Sequence, residues 1–226
     1  MLRKLPNYLI VLGSLLCTVT FVTSCKPAMV HEKIIFNEQR NKLSLQYLKE
    51  RYHMVQDTPT IVPRMVVVHW TAIPTFQKSF DAFYEPTLPP NRKGISGAGT
   101  LNVSSQFLID RDGTIYQLMP ETLMARHVIG LNYCAIGIEN VGGTKSTPLT
   151  DEQLKSNIRL IKYLKKKYTI DYVIGHYEYT LFENTDLWRE TDANYRTEKT
   201  DPGEEFMEKI RYGVRKLDLK PLPTNN

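Results

Sequence analysis

The sequence is poor in cysteine and in dense basic tracts, and each shortage excludes something. Its three cysteines are Cys17, Cys25 and Cys134. Two of them fall in the first 25 residues, so only Cys134 stands in the remainder and an intrachain disulfide framework there is excluded. The net charge of +5 includes Arg3 and Lys4 near the start. What is left is mildly basic, enough for weak attraction to anionic surfaces. No stripe of Lys and Arg with interleaved aromatics is present, which argues against nucleic acid as a partner. There is no internal repeat and no low-complexity tract. With 42% hydrophobic and 23% charged residues in 226, the composition is that of a globular protein, long enough for one domain with a true core.

The one long apolar run lies at the start. Arg3 and Lys4 precede a nearly apolar stretch from Tyr8 to Val22, followed by Thr23, Ser24 and Cys25. A positive start, a short apolar segment and small residues at the end describe a secretory signal. The segment is shorter than the roughly 20 residues a membrane span needs. The ending Val22-Thr23-Ser24-Cys25 resembles the lipobox of bacterial lipoproteins. That resemblance implies a signal over residues 1–24, lipid attachment at Cys25, and anchoring by acyl chains. A plain signal peptide with a chance cysteine is the alternative. Lys26 follows the cysteine, which by analogy with enteric bacteria favours the outer membrane, facing the periplasm.

Residues 25–37 read as a tether, residues 38–220 as the folded domain, and residues 221–226 as a loose tail. Leu45, Leu48 and Tyr52 predict a helix over 37–52, and Met65-Val66-Val67-Val68 predicts a buried strand within 64–70. A short helix is expected over 76–84, then a long loop over 85–100 with three prolines and three glycines. Residues 101–118 read as a hairpin around Asp110-Arg111-Asp112-Gly113, and 135–141 as a strand. Thr150 and Gln153 form a capping-box pattern opening a helix to Tyr168, with Leu154, Ile158, Ile161, Leu164 and Tyr168 on one face. A strand over 171–174 leads to Gly175-His176, and a last helix runs from Pro202 to Leu217. This order predicts a single α/β domain with a central mixed β-sheet flanked by helices on both faces.

Three residues stand out as ligand candidates. His69 and His176 each end a predicted strand, and the rim of a sheet is a rigid mount for ligands. Either histidine alone is as readily a structural one. Asp201, in Lys199-Thr200-Asp201-Pro202-Gly203, fits the N-cap of the last helix, with Pro202 at N1 and Glu204 at N3. Two histidines and a carboxylate leave a fourth zinc position for water, but spacing alone does not bring the three together.

The segments VVVHWTA, FLIDRDGTIYQLMPE, IGIENVGG, VIGHYEY and EKTDPG resemble, in order and rough spacing, the zinc-dependent N-acetylmuramoyl-L-alanine amidases. These include the peptidoglycan-recycling and envelope-lipoprotein enzymes, and are related to phage amidase lysozymes and peptidoglycan recognition proteins. The resemblance covers about residues 60–215. It implies one zinc ion on His69, His176 and Asp201, with Glu139 and Lys199 as catalytic residues. It further implies hydrolysis of the bond between N-acetylmuramic acid and L-alanine in peptidoglycan or muropeptides. A peptidoglycan-binding module without catalysis is the alternative. The expected partners are the glycopeptide substrate and, through the N-terminal lipid, a membrane; no obligate protein partner is inferred.

His127 and Asn132 fall in a stretch expected to face substrate, although Arg126 stands where relatives have an aromatic residue. Gln106 stands where many relatives carry a histidine that is not a ligand. Cys134 reads as a small buried residue, and His31 and His53 as incidental. The long stretch 177–199, with Trp188, Arg189, Glu190 and Tyr195, is expected to wall a groove together with the 85–100 loop.

Overall fold

The computed structural model describes residues 26–90, 92 and 97–224. Cys25 and the leader lie outside the described residues. The elements in chain order are β1 (Val30–His31), α1 (Glu38–Tyr52), β2 (Met65–Trp70), α2 (Phe76–Tyr84), β3 (Phe107–Ile109), β4 (Ile115–Gln117) and β5 (Ala135–Asn140). Then come α3 (Asp151–Lys167), β6 (Tyr172–Gly175), a 3-10 helix (His176–Phe182) and α4 (Glu204–Val214).

The six strands form one sheet in the order β1-β4-β3-β5-β2-β6. Only β3 and β4 run antiparallel, as the expected hairpin; every other pairing is parallel. The central strands β3, β5 and β2 are buried along nearly their whole length and mostly apolar, as strands covered on both faces must be. Alternation along them separates two layers. Val66, Val68, Ile136 and Ile138 share one core cluster with Leu160, Ile161 and Leu164 of α3 and Met207, Ile210 and Val214 of α4. Met65, Val67, Ala135 and Ile174 meet Tyr179 and Phe182 of the 3-10 helix, and Leu108 meets Phe80 and Phe83 of α2. Helices therefore cover both faces. Each fully buried aliphatic side chain contributes roughly 1.5–3 kcal/mol.

Local signals account for the helix starts. The Asn37 side chain accepts the Arg40 amide, and Thr150 and Gln153 complete their capping box. The buried face of α3 is wider than the predicted stripe. Leu160, Ile161 and Leu164 are buried, but Leu154 and Ile158 are only partly so, and the first two turns bury Gln153, Ser156 and Asn157 instead. These polar groups grip strand ends. Gln153 Nε2 donates to the carbonyls of Val141 (2.9 Å) and Ile109 (3.2 Å), and Asn157 Nδ2 donates to Asn140 Oδ1 (2.8 Å). Asn140 in turn donates to the carbonyl of His69 at 2.9 Å.

Other expectations shift. The stretch expected as a tether contributes β1 and continues along the sheet edge. The amides of Glu32 and Ile34 donate to Gln117 and Leu118, and Ile34 is 3% exposed. The first arm of the hairpin is shorter than predicted. Asn102 instead donates to the carbonyls of Ala82 and Glu85, pulling residues 101–106 toward α2. The last helix starts at Glu204, with Gly203 as N-cap at φ 89°.

Candidate metal centre

β2 and β5 run in parallel register with His69 opposite Glu139, and β2 and β6 with Val68 opposite Gly175. One residue further, His69 faces His176. Glu139, His69 and His176 thus stand in a row across three adjacent strands at their carboxyl ends, where open α/β sheets bind ligands. The loop before α4 completes the row. Gly175 leaves no room for a Cβ, which would meet Tyr177, Met207 and Pro202 within 3.0 Å, so the 201–203 loop packs directly on the end of β6. Glu178 accepts the Gly175 amide at 2.8 Å and pairs with Arg211 of α4 at 2.6 Å, fixing this corner.

Asp201 is therefore not the N-cap expected from sequence. Gly203 takes that place and frees the carboxylate. Asp201 Oδ2 lies 3.0 Å from His69 Nδ1 and 3.0 Å from His176 Nδ1, and the two nitrogens are 3.0 Å apart. All three residues are buried, and they form a group able to hold a metal ion.

No placement of protons satisfies this triangle. A carboxylate oxygen only accepts, and each Nδ1 carries at most one proton. Two N–H groups aimed at Asp201 leave two donors facing each other. A bare nitrogen leaves a lone pair facing an anion. A cation shared by three lone pairs satisfies all contacts, and two His with one carboxylate is a recognised catalytic zinc set.

The electrostatics agree. Burial works to raise the Asp201 carboxyl, but the two imidazoles hold it far below the usual carboxylate range. Burial, with His69 alongside, lowers His176 to about 4 against the pull of Asp201, so its ring is neutral at pH 7, as a ligand must be. Glu139 is 8% exposed, and its Oε2 has no hydrogen-bond partner among the described residues. Burial pushes its carboxyl up to about 7, opposed by His69 and reinforced by Asp201.

The site opens into a cavity of about 260 Å³. Lys199 and Arg92 line it, as do Tyr195 and Thr197. Both long loops, 85–100 and 177–199, therefore contribute walls. The second loop is held by packing: Trp188 lies against Gly130 and under Arg196, and Glu190 pairs with Arg51 of α1 at 2.7 Å.

The remaining candidates divide. His127 lines the cavity, and its Nδ1 contacts His69 Nε2 at 3.0 Å. Burial, with His69 next to it, holds its imidazole well below the ordinary value. Asn132 borders the cavity but is 1% exposed, and its amide is committed to protein. Its Oδ1 accepts the amides of His127 and Val128, and its Nδ2 donates to Tyr52. The amide thus anchors the loop that carries His127. Gln106 is buried, accepts the Gly137 amide at 2.7 Å and donates to Leu123, holding β5 two residues from Glu139. Cys134 is buried, and burial lifts its thiol to about 12, which makes it inert. Arg126, noted from sequence only as a departure from relatives, is buried beside the cavity, with its guanidinium donating to Leu101 and Tyr195.

An α/β sheet with two imidazoles and one carboxylate at its carboxyl rim, beside a buried acid, is an arrangement able to hold one metal ion. The profile of the N-acetylmuramoyl-L-alanine amidase family matches residues 57–204, and the chain belongs to that family. No curated protein matches the sequence. Among solved structures, it is similar to the endolysin N-acetylmuramoyl-L-alanine amidase LysCS from Clostridium intestinale URNW, at 22% identity and TM-score 0.53, covering 85% of this chain and 98% of that one. A selenomethionine derivative of AmpD matches at 24% identity and TM-score 0.52, over 84% and 96% of the two chains. The peptidoglycan recognition protein PGRP-LE, solved in complex with tracheal cytotoxin, matches at 18% identity and TM-score 0.50, over 82% and 93%. At these identities the likenesses speak to the fold.

Proposed function

We propose that this protein is a zinc-dependent amidase that cleaves the bond between N-acetylmuramic acid and L-alanine in peptidoglycan or muropeptides. The observation that carries the reading is the convergence of His69 Nδ1, His176 Nδ1 and Asp201 Oδ2, each 3.0 Å from the others, in a chain of this family. One zinc ion held there would supply Lewis acidity to the scissile carbonyl and to an attacking water. Glu139, directly beside His69 on β5, takes the proton of that water on its carboxylate and returns it to the leaving L-alanine amine. Burial works to raise this carboxyl, which favours its taking up and handing on a proton. Lys199, on the cavity wall, places its ammonium against the negative charge developing on the carbonyl oxygen.

The test uses the full chain in detergent with defined muropeptides and mass spectrometry of the products. Stem peptide should be released, the release should stop with a chelator, and zinc should restore it. A zinc-loaded protein that binds muropeptide but never cuts it would instead be a recognition module.

The same reading includes the leader. Lipid attachment at Cys25 would hold the enzyme at a membrane, facing the periplasm from the outer membrane. Among the described residues no helix is long and apolar enough to cross a membrane. Labelling with a fatty acid should mark the parent and spare Cys25→Ser; equal labelling would remove the assignment.

A further inference from the structure

We infer that His127 is a positioning residue that fixes the tautomer of His69, so that His69 presents a bare Nδ1 to the metal. This inference rests on the metal reading proposed above.

The geometry fixes the protons one at a time. His127 Nε2 lies 3.3 Å from the carbonyl oxygen of Ala135. A carbonyl accepts only, so Nε2 carries the proton. A neutral imidazole has one N–H, so His127 Nδ1 is an acceptor. Its partner at 3.0 Å is His69 Nε2, which therefore donates. The proton of His69 is then on Nε2, and Nδ1, 3.0 Å from Asp201 Oδ2 and His176 Nδ1, is a lone pair. The relay runs from a main-chain carbonyl of β5 through two rings to the ligand atom. Partners of this kind set ring orientation and ligand basicity in metal sites.

The His127 ring is held in place. Asn132 accepts the His127 amide at 2.9 Å and the Val128 amide at 2.8 Å. The ring lies over Gly137, where a Cβ would come within 3.0 Å of its Cγ. The rings of His69 and His127 meet edge to face, with centroids 5.1 Å apart. The other histidine differs: His176 Nε2 is buried with no hydrogen-bond partner among the described residues. The relay therefore serves one ligand of the two.

The experiment measures zinc affinity by chelator competition on the full chain in detergent, for the parent, His127→Ala and His127→Asn. Asparagine keeps an accepting oxygen near the place of Nδ1. His127→Ala should bind zinc roughly 10–100-fold more weakly, and His127→Asn should stay near the parent. Nitrogen-15 spectra of the histidines in the metal-free parent should show His69 protonated on Nε2, and a mixture of tautomers in His127→Ala. Three results overturn the inference: His69 protonated on Nδ1 in the metal-free parent, parent-like affinity in His127→Ala, or equal losses in both variants. A parent that binds no zinc overturns the metal reading itself. A parent that binds while His127→Ala matches it overturns only the relay. The spectra of the parent alone decide the matter even where a variant fails to fold.

Discussion

The two faces of the sheet are made by the same strands and are buried alike, yet they differ in what they hold. Toward α3 and α4, β2 and β5 present Val66, Val68, Ile136 and Ile138. Toward the 3-10 helix and α2, the same strands present Met65 and Val67, then His69, and Ala135 and Gly137, then Glu139. One face stays apolar up to Asn140, which is bonded to Asn157 of α3; the other ends in the ionisable pair His69 and Glu139. The period of two along a strand places cohesion and chemistry back to back, one peptide apart. Changes on one face should then alter stability without altering the chemistry, and changes at the rim of the other should do the reverse.

The largest effect expected on that contrast is at the ligands. Asp201→Ala should abolish zinc binding and hydrolysis while leaving the far-ultraviolet circular dichroism of the metal-free chain as in the parent. Retained zinc stoichiometry would break the assignment. Next comes Glu139→Gln, for which zinc stays bound and turnover falls roughly 10²–10⁴-fold, the range for loss of a general base. The same carboxyl gives the metal-free chain a pH-dependent stability. A carboxyl raised from 4.5 to about 7 binds a proton in the folded but not the unfolded chain within that window. Its contribution to stability is present at low pH and is lost as pH rises. In urea melts of metal-free protein, Glu139→Gln should gain on the parent between pH 4.5 and 7; a constant difference would mean the acid is not shifted.

On the other face, Ile138→Ala should cost about 2–5 kcal/mol of stability and leave the zinc affinity of the folded protein unchanged. A weakened zinc site in that variant would show that the two faces are coupled through the strand. The smallest effect is at the α3 start, where Thr150→Ala removes the capping box for about 1 kcal/mol, with no change in turnover.

Much of this was legible in the sequence, and what was not has a common cause. The strands and helices followed from periodicity and caps. His69 and His176 were found as strand ends. Asp201 was singled out for a partly wrong reason, since the local cap pattern Asp-Pro-Gly-Glu fits a helix start two residues earlier than the one formed. The contact between His69 and His127, 58 positions apart, follows from β5 lying beside β2, and strand order is not written in chain order. Asn132 shows the same limit: its commitment to Tyr52 depends on where α1 docks, which no local pattern states.

The pairing of β1 with the sheet edge bears on how far the domain can travel. If Cys25 carries lipid as proposed, only four residues lie between the acylated position and Val30, and these five steps reach at most about 18 Å when fully extended. The catalytic rim would be moored, not trailed on a long line. Wall strands farther off than the tether and the width of the domain together would be out of range, and freely diffusing fragments would have to come to it.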